Sequence, residues 1–262
     1  MTARSLPEAL DRTILIEAAP ETVFRFFTDP ARWAAWWGAG STVDARPGGR
    51  VFIRYPEGTE ASGEVIEVAP PHRIVFTYGY VSGKPIPPGG SRVTIRLEPA
   101  GMATRLHLLH EFAEASVRDH HVQGWRYQLA VFGNVVADEV HAGAGGAVDG
   151  WFAAWSEPDV ARREAAFARV AAPQVRFRDR YSLVDGAADL LAHVAAAQRF
   201  MPGIRLQREG EVRHCQGTVL ADWIARGAGG QERGRGTNVF VFDAAGRIES
   251  ATGFWNAPAP RS

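Results

Sequence analysis

The sequence predicts an α+β chain of two domains, and three observations predict it. Between Arg50 and Phe112 apolar residues recur at every second position in five runs, the pattern of an antiparallel sheet with one buried face. One long amphipathic segment follows, from Ser116 to about His141. Past the break Gly143-Ala144-Gly145-Gly146 a second series begins with helical stripes and ends in strands. At roughly 100–200 residues per domain, 262 residues make two domains, expected at 1–141 and 145–257. A curved sheet closed by a helix leaves a gap, so a small-molecule cavity is expected in each half.

In the first half, Thr13-Ile-Leu-Ile-Glu17 reads as a short strand and Pro20 as the first residue of a helix, where its missing N–H costs nothing. Val23, Phe24, Phe26 and Phe27 give that helix its apolar face. Asp29-Pro30 ends it and caps a second turn bearing Trp33, Trp36 and Trp37. Strands are predicted at 50–55, 63–68, 73–80, 92–98 and 104–112, separated by Pro- and Gly-rich turns. Ser116, with Asp119 three residues on, predicts a capping box. Val122, Trp125, Leu129, Phe132, Val136 and Val140 form the stripe that lies on the sheet.

In the second half, Val148, Trp151, Phe152 and Trp155 fall at i, i+3, i+4 and i+7 of a helix, and Pro158 opens another. A strand at 175–178, a helix after Asp185-Gly186 and strands at 204–206, 219–225, 237–242 and 247–254 complete the half. Asp243-Ala-Ala-Gly246 turns the last hairpin.

Composition narrows the function classes. Twenty-nine basic residues balance 29 acidic ones, so no net field gathers a nucleic acid or an anionic bilayer. Arg226 to Arg235, rich in glycine, reads as a hairpin loop and not as a phosphate tract. No stretch reaches the roughly 20 apolar residues of a membrane span, and the amino terminus lacks a signal core, so a cytoplasmic location is expected. Cys215 is the sole cysteine, expected as a small buried residue. A Gly-rich phosphate loop, a nucleophile elbow and a dinucleotide fingerprint are all absent, so no cofactor is expected. His107 and His110, three apart on a strand, face opposite ways, while the adjacent His120 and His121 diverge on a helix. No metal site is predicted.

Ala19-Pro-Glu-Thr-Val-Phe24, Thr28-Asp-Pro30, Trp36-Trp-Gly38, Asp44-Ala-Arg-Pro-Gly-Gly49, Gly63 to Val68 with Pro70-Pro71, Thr104-Arg-Leu106 and Gly124-Trp125 together resemble the START-like (SRPBCC) superfamily. The branch is that of bacterial homologues of the activator of the ninety-kilodalton heat-shock-protein ATPase. That resemblance implies a helix-grip fold, an antiparallel sheet wrapped on a long C-terminal helix around a hydrophobic cavity. Val175-Arg-Phe-Arg-Asp179, Asp185-Gly186, Gly217 to Asp222 and Val239 to Ile248 resemble the SnoaL-like branch of the nuclear-transport-factor-two-like superfamily, which implies a cone-shaped α+β barrel.

Candidate ligand-binding residues of the first half are Trp33, Trp36, Trp37, Phe76, Tyr78, Tyr80, Trp125, Leu129 and Phe132, with His107 as a polar group. Aromatic residues at such spacings also serve as plain core, and both readings stand. In the second half Trp151, Trp155, Tyr181 and Asp222 are expected at the pocket. The SnoaL-like resemblance places Asp179 where isomerase-type members carry a general base, and Asn238 where they carry an oxyanion donor. The tyrosine donor of those members has no counterpart, since Trp151 and Trp155 occupy its neighbourhood. Asp179 as a turn former before Tyr181, and Asp222 paired with an arginine such as Arg235, are the competing structural readings. Three functions follow. The first is binding of a small hydrophobic molecule in the START-like cavity. The second is a cofactor-free isomerase, cyclase or hydratase using Asp179. The third is an interaction protein that meets a chaperone or pairs as a homodimer through an exposed sheet face.

Overall fold

The computed structural model describes residues 5–256, and the chain divides into two compact units between Ala137 and Asp138. Both are mixed α and β, as the sequence predicts.

The first unit runs β1 (Glu8–Ile16), α1 (Pro20–Thr28), α2 (Pro30–Trp37), β2 (Thr42–Val43), β3 (Arg50–Arg54), β4 (Glu60–Ala69), β5 (Arg73–Tyr78), β6 (Ser91–Ala100), β7 (Ala103–Phe112) and α3 (Ala115–Val140). Its seven strands form an antiparallel sheet in the order β1-β7-β6-β5-β4-β3-β2. The meander β2–β7 follows from its short Pro/Gly turns, and β1 returns to cover the free edge of β7. β1 starts at Glu8, earlier than the apolar run suggests. Burial alternates from its first position although polarity does not, Asp11 and Arg12 standing side by side, so the strand's true extent hides in residues that look like a hydrophilic tail.

Asp29 ends α1 and caps α2, its carboxylate accepting from the Arg32 backbone N–H at 3.0 Å. α3 begins at Ala115, ahead of the expected Ser116 cap, and Asp119 pairs with the Arg118 guanidinium at 2.9 Å. The buried stripe of α3 also starts differently. Val117 and His121 lead it, followed by Trp125, Gln128, Leu129, Phe132, Val136 and Ala137, while Val122 and Val140 are only partly covered.

At one end of this unit α1, α2 and α3 close on the sheet in an aromatic core. Phe132 meets Phe26, Phe27 and Trp36 at centroid distances of 6.0, 4.9 and 4.9 Å, and Trp33 meets Trp36, Trp37 and Phe76 at 5.3, 5.7 and 5.7 Å. β4 can lie so close to β5 only because residue 63 has no side chain. A Cβ on Gly63 would stand 1.7 Å from the Thr77 carbonyl oxygen.

The second unit holds α4 (Ala144–Ser156), α5 (Val160–Val170), β8 (Ala171–Asp179), β9 (Ser182–Asp185), α6 (Ala187–Phe200), β10 (Arg205–Cys215), β11 (Thr218–Arg226), β12 (Glu232–Phe242) and β13 (Ile248–Trp255). The sheet order is β10-β11-β12-β13-β8-β9, with β13 and β8 parallel and the other pairs antiparallel. β9 was not expected; it is four residues long with one buried side chain, too short for a periodic signal. Asp159 caps α5 through the Arg162 N–H at 2.9 Å. Gln216 and Gly217, at φ +47° and +82°, turn β10 into β11, and both conformations belong to a tight hairpin turn. Cys215 lies at that turn and is exposed, contrary to the buried position expected for it. Trp151, Phe152, Phe167, Phe177 and Phe240 form the centre of the core.

Trp33 is fully buried among three rings, so replacing it by alanine removes contacts that the rigid surroundings cannot restore. Trp33→Ala is expected to cost about 3–5 kcal/mol. Urea unfolding followed by circular dichroism checks this, and a loss below about 1 kcal/mol would contradict the packing described.

Candidate functional site

The aromatic core of the first unit stops short of the middle of α3. Beyond Trp36 and Trp37 the helix and sheet stand apart around a cavity of about 860 Å³. Trp36, Trp37, Tyr55, Tyr78, Tyr80 and Trp125 supply its rings, and His110, His121 and Gln128 its buried polar groups. Glu57, Ser82, Lys84, His120 and Tyr127 are exposed and surround the mouth.

Two hydrogen-bonded chains line this space, and the donor rules fix their direction. An indole N–H can only donate. Trp125 Nε1, 2.8 Å from His110 Nδ1, therefore finds a bare nitrogen there, which puts the His110 proton on Nε2. His110 Nε2 donates to Ser91 Oγ at 2.8 Å, and Ser91 donates to the Tyr78 carbonyl at 2.9 Å. Protonating His110 would set two N–H groups against each other. Burial, and secondarily the nearby His121, hold its pKa well below the ordinary imidazole value.

In the second chain His121 Nδ1 donates to the Val117 carbonyl at 2.7 Å, so Nε2 accepts from the Tyr80 hydroxyl at 3.4 Å. Burial lowers the His121 pKa, with the Val117 carbonyl working against that and His120 adding to it. The Tyr55 and Tyr78 hydroxyls meet at 2.9 Å, and burial first of all raises both their pKa values. The interior wall is thus polar and uncharged at neutral pH. The Trp37 indole N–H is buried without a protein partner. Gln128 Nε2 donates to the Trp36 carbonyl and fixes the distance between α3 and α2.

Of the expected residues, Trp36, Trp37, Tyr78, Tyr80 and Trp125 line the cavity. Trp33, Phe76, Leu129 and Phe132 do not; they are core. Phe76 shares a strand face with Tyr78, but Trp33 of α2 covers it. His107 points to the other face of β7, where it meets Thr13 Oγ1 at 3.0 Å and Glu98 at 3.2 Å. His110 takes the inner position instead, and strand parity could have shown it, because His110 alternates with Leu106, Leu108 and Phe112. Its meeting with His121, 5.4 Å between ring centroids, joins β7 to α3 and has no local sequence signal. Among the described residues no three His, Cys, Asp or Glu side chains gather as a metal site.

The second unit holds a smaller cavity of about 150 Å³. Trp151, Phe152, Trp155, Phe177, Ile204, Leu206 and Trp223 form most of its wall, with Asp179 and Asn238 as polar members. Asp179 Oδ1 accepts from the Tyr181 N–H at 2.8 Å, the turn-forming arrangement, and Oδ2 accepts from Trp255 Nε1 at 3.0 Å. Asn238 Oδ1 accepts from Trp223 Nε1 at 2.8 Å. Tyr181 is exposed and packs on Trp255 outside the lining. Asp222 also lies outside it, accepting from the Thr237 hydroxyl at 2.5 Å and facing Arg213 at 3.6 Å, while Arg235, its expected partner, pairs with Glu232. Register explains the position of Asp222. Asp222 sits opposite Thr237 on the face of β11 turned from the core, whereas Ala221 and Trp223 face inward.

No helix among the described residues is long and apolar enough to cross a membrane. No curated protein matches the chain. Among solved structures, the chain is similar to a putative isomerase of the SnoaL-like family from Agrobacterium tumefaciens, at 24% identity over 45% of this chain and 99% of that one, TM-score 0.42. It is similar to CalU16 from Micromonospora echinospora, at 27% identity over 50% and 77%, TM-score 0.42. It is also similar to the Aha1 dimer from Colwellia psychrerythraea, at 18% identity over 47% and 90%, TM-score 0.41. Residues 17–137 match the family described as Activator of Hsp90 ATPase homolog 1-like protein, so the first unit carries a domain of that family.

Proposed function

We propose that the protein binds a small, largely apolar and uncharged molecule in the cavity of the first unit. The observation that carries this reading is the pairing of a space of about 860 Å³ with walls of indole and phenol rings among which burial keeps Tyr55, Tyr78, His110 and His121 neutral. Such a volume lies in the usual range for small-molecule sites. Flat rings offer large contact area to an aromatic or polycyclic guest, and the hydroxyls of Tyr55 and Tyr80 offer it hydrogen bonds. An ion entering the interior would lose its hydration without meeting an opposite charge, because Glu57 and Lys84 stay at the exposed mouth.

The chaperone-meeting and subunit-pairing readings gain no specific observation in the described surface. The enzymatic reading is less favoured, since both Asp179 oxygens already hold donors.

Gly124 supplies a direct test. It lines the cavity within α3, and a Cβ there meets nothing within 4 Å. Gly124→Leu projects into the space without a backbone clash. It is expected to stabilise the protein by about 0.5–1 kcal/mol through helix propensity. It is also expected to weaken binding of the neutral fluorescent probe N-phenyl-1-naphthylamine at least about tenfold by filling volume. Wild-type protein that fails to bind the probe, or a variant that binds it equally well, would refute the proposal.

Acidification gives a second test. His110 and His121 are neutral in the fold with lowered pKa values, so the unfolded chain takes up protons that the folded chain refuses. Their contribution is present above the unfolded value of about 6.5 and is lost as pH falls below it. The urea midpoint is expected to drop between pH 7.5 and 5.5, and to drop less in His110→Asn, whose amide oxygen can still accept from Trp125. A midpoint that is flat or rises on acidification would contradict the neutral-histidine arrangement.

A further inference from the structure

We propose that the end of the second unit around Tyr181, Phe200 and Trp255 docks on an anionic lipid bilayer as a peripheral contact. The proposal stands apart from the cavity of the first unit and from any guest of the second. It rests on exposed rings and uncompensated arginines gathered at one end of the fold.

Contacts bring separate chain segments to that end. In the turn between β8 and β9 the Arg180 guanidinium lies over the Tyr181 ring at 5.0 Å, and Tyr181 meets the Trp255 ring edge to face at 5.7 Å. Trp255 is the last residue of β13. Its indole abuts Gly234 of β12, where a Cβ would stand 2.9 Å from the ring. Met201 and Arg233 border the same opening as Asp179 and Trp255, which brings the end of α6 beside them. α6 closes on Arg199 and Phe200, immediately before Met201. Phe200 and Tyr181 are 85% and 71% exposed, and Met201 and Trp255 are exposed as well. Single apolar residues are scattered over any protein surface, but a cluster of them edged by polar groups marks a contact site.

Charge decides what makes the contact. Arg180, Arg199 and Arg233 are exposed, and none has a carboxylate partner among the described residues. The acids nearby are engaged: Glu232 is held by Arg235 at 2.9 Å, and both Asp179 oxygens accept N–H donors. This end therefore carries more positive than negative charge. Neutrality of the whole chain does not cancel it, since salt confines the reach of each charge to about 10 Å. Indole and phenol rings settle at the headgroup level of a bilayer, and an arginine beside them gains from a negative surface. A second copy joined through a two-fold axis would instead set these three arginines against their own counterparts.

Co-sedimentation of the full-length protein with lipid vesicles tests the proposal. The protein is expected to bind vesicles of phosphatidylcholine and phosphatidylglycerol in equal parts, and to bind phosphatidylcholine alone at least about tenfold more weakly. The triple variant Arg180→Glu, Arg199→Glu, Arg233→Glu is expected to lower partition on the order of a hundredfold. The double variant Tyr181→Ser, Phe200→Ser, which keeps the arginines, is expected to lower it about tenfold by removing apolar contact. All five positions are exposed, and circular dichroism checks that both variants fold; should the triple variant not fold, the double variant decides. Absence of binding to the anionic vesicles, equal binding to neutral ones, or binding unchanged in either variant would overturn the proposal. So would a dimer in sedimentation velocity that the double variant dissociates, or retention by polyglutamate without vesicle binding, which would assign this end to a second copy or to an acidic protein.

Discussion

The hydrogen bond from the Trp125 indole to His110 Nδ1 is the contact on which the first site depends. It ties α3 to β7 beside the cavity, where His121 of α3 also meets His110 and Phe112 of β7 at 5.4 and 4.9 Å between ring centroids. Towards the C-terminal end of α3, Phe132 and Val136 bury themselves in the aromatic core and need no polar tether. Towards its N-terminal end, Val117 and His121 are buried as well, and the Trp125 bond fixes the helix at the edge of the cavity that lies between these two contacts. Because an indole cannot accept, the bond also dictates the tautomer of His110. His110 Nε2–H then donates to Ser91, whose own hydroxyl donates to the Tyr78 carbonyl of β5.

Electrostatic neutrality follows from that directionality. Burial holds His110, His121, Tyr55 and Tyr78 in their uncharged forms, and the bond from Trp125 to His110 Nδ1 exists only while that ring is neutral. A wall of this kind is dry enough for an apolar guest and polar enough to orient one. The second unit reaches a comparable result by different means. A glycine in the central strand of three leaves two polar side chains facing an apolar hollow, and indole N–H groups from Trp223 and Trp255 hold both in place.

Most elements of both units were legible in the sequence because their signals are local, the short β2 and β9 excepted. The Asp29-Pro30 cap, the stripe Val148-Trp151-Phe152 and the turn Asp243 to Gly246 each lie within a few residues of the structure they specify. The sites were legible only in part. Trp36, Trp37, Tyr78, Tyr80 and Trp125 mark the first cavity through residue type alone. Which rings line it and which fill the core is decided by how α2 covers Phe76 and how α1 meets Phe132, and these are contacts between distant segments. Tyr55 and His121 carry no sequence signal that places them at the cavity, for the same reason. Tyr55 follows the last residue of a short strand, and His121 stands beside another histidine, where neither neighbour nor period distinguishes it. His107 was preferred to His110 although parity along β7 favours the latter. Asp179 and Asn238 were named by resemblance, whereas the place of Gly253 between them depends on strand order that no local pattern encodes.

The central claim is that α3 and the sheet hold open an uncharged aromatic cavity which accepts a guest. A crystal structure of the protein grown with N-phenyl-1-naphthylamine tests it most directly. The account predicts density for the probe between Trp37, Trp125 and Tyr80, with Trp125 still bonded to His110. Side chains collapsed into that space, or a probe bound only on the outer surface, would contradict it.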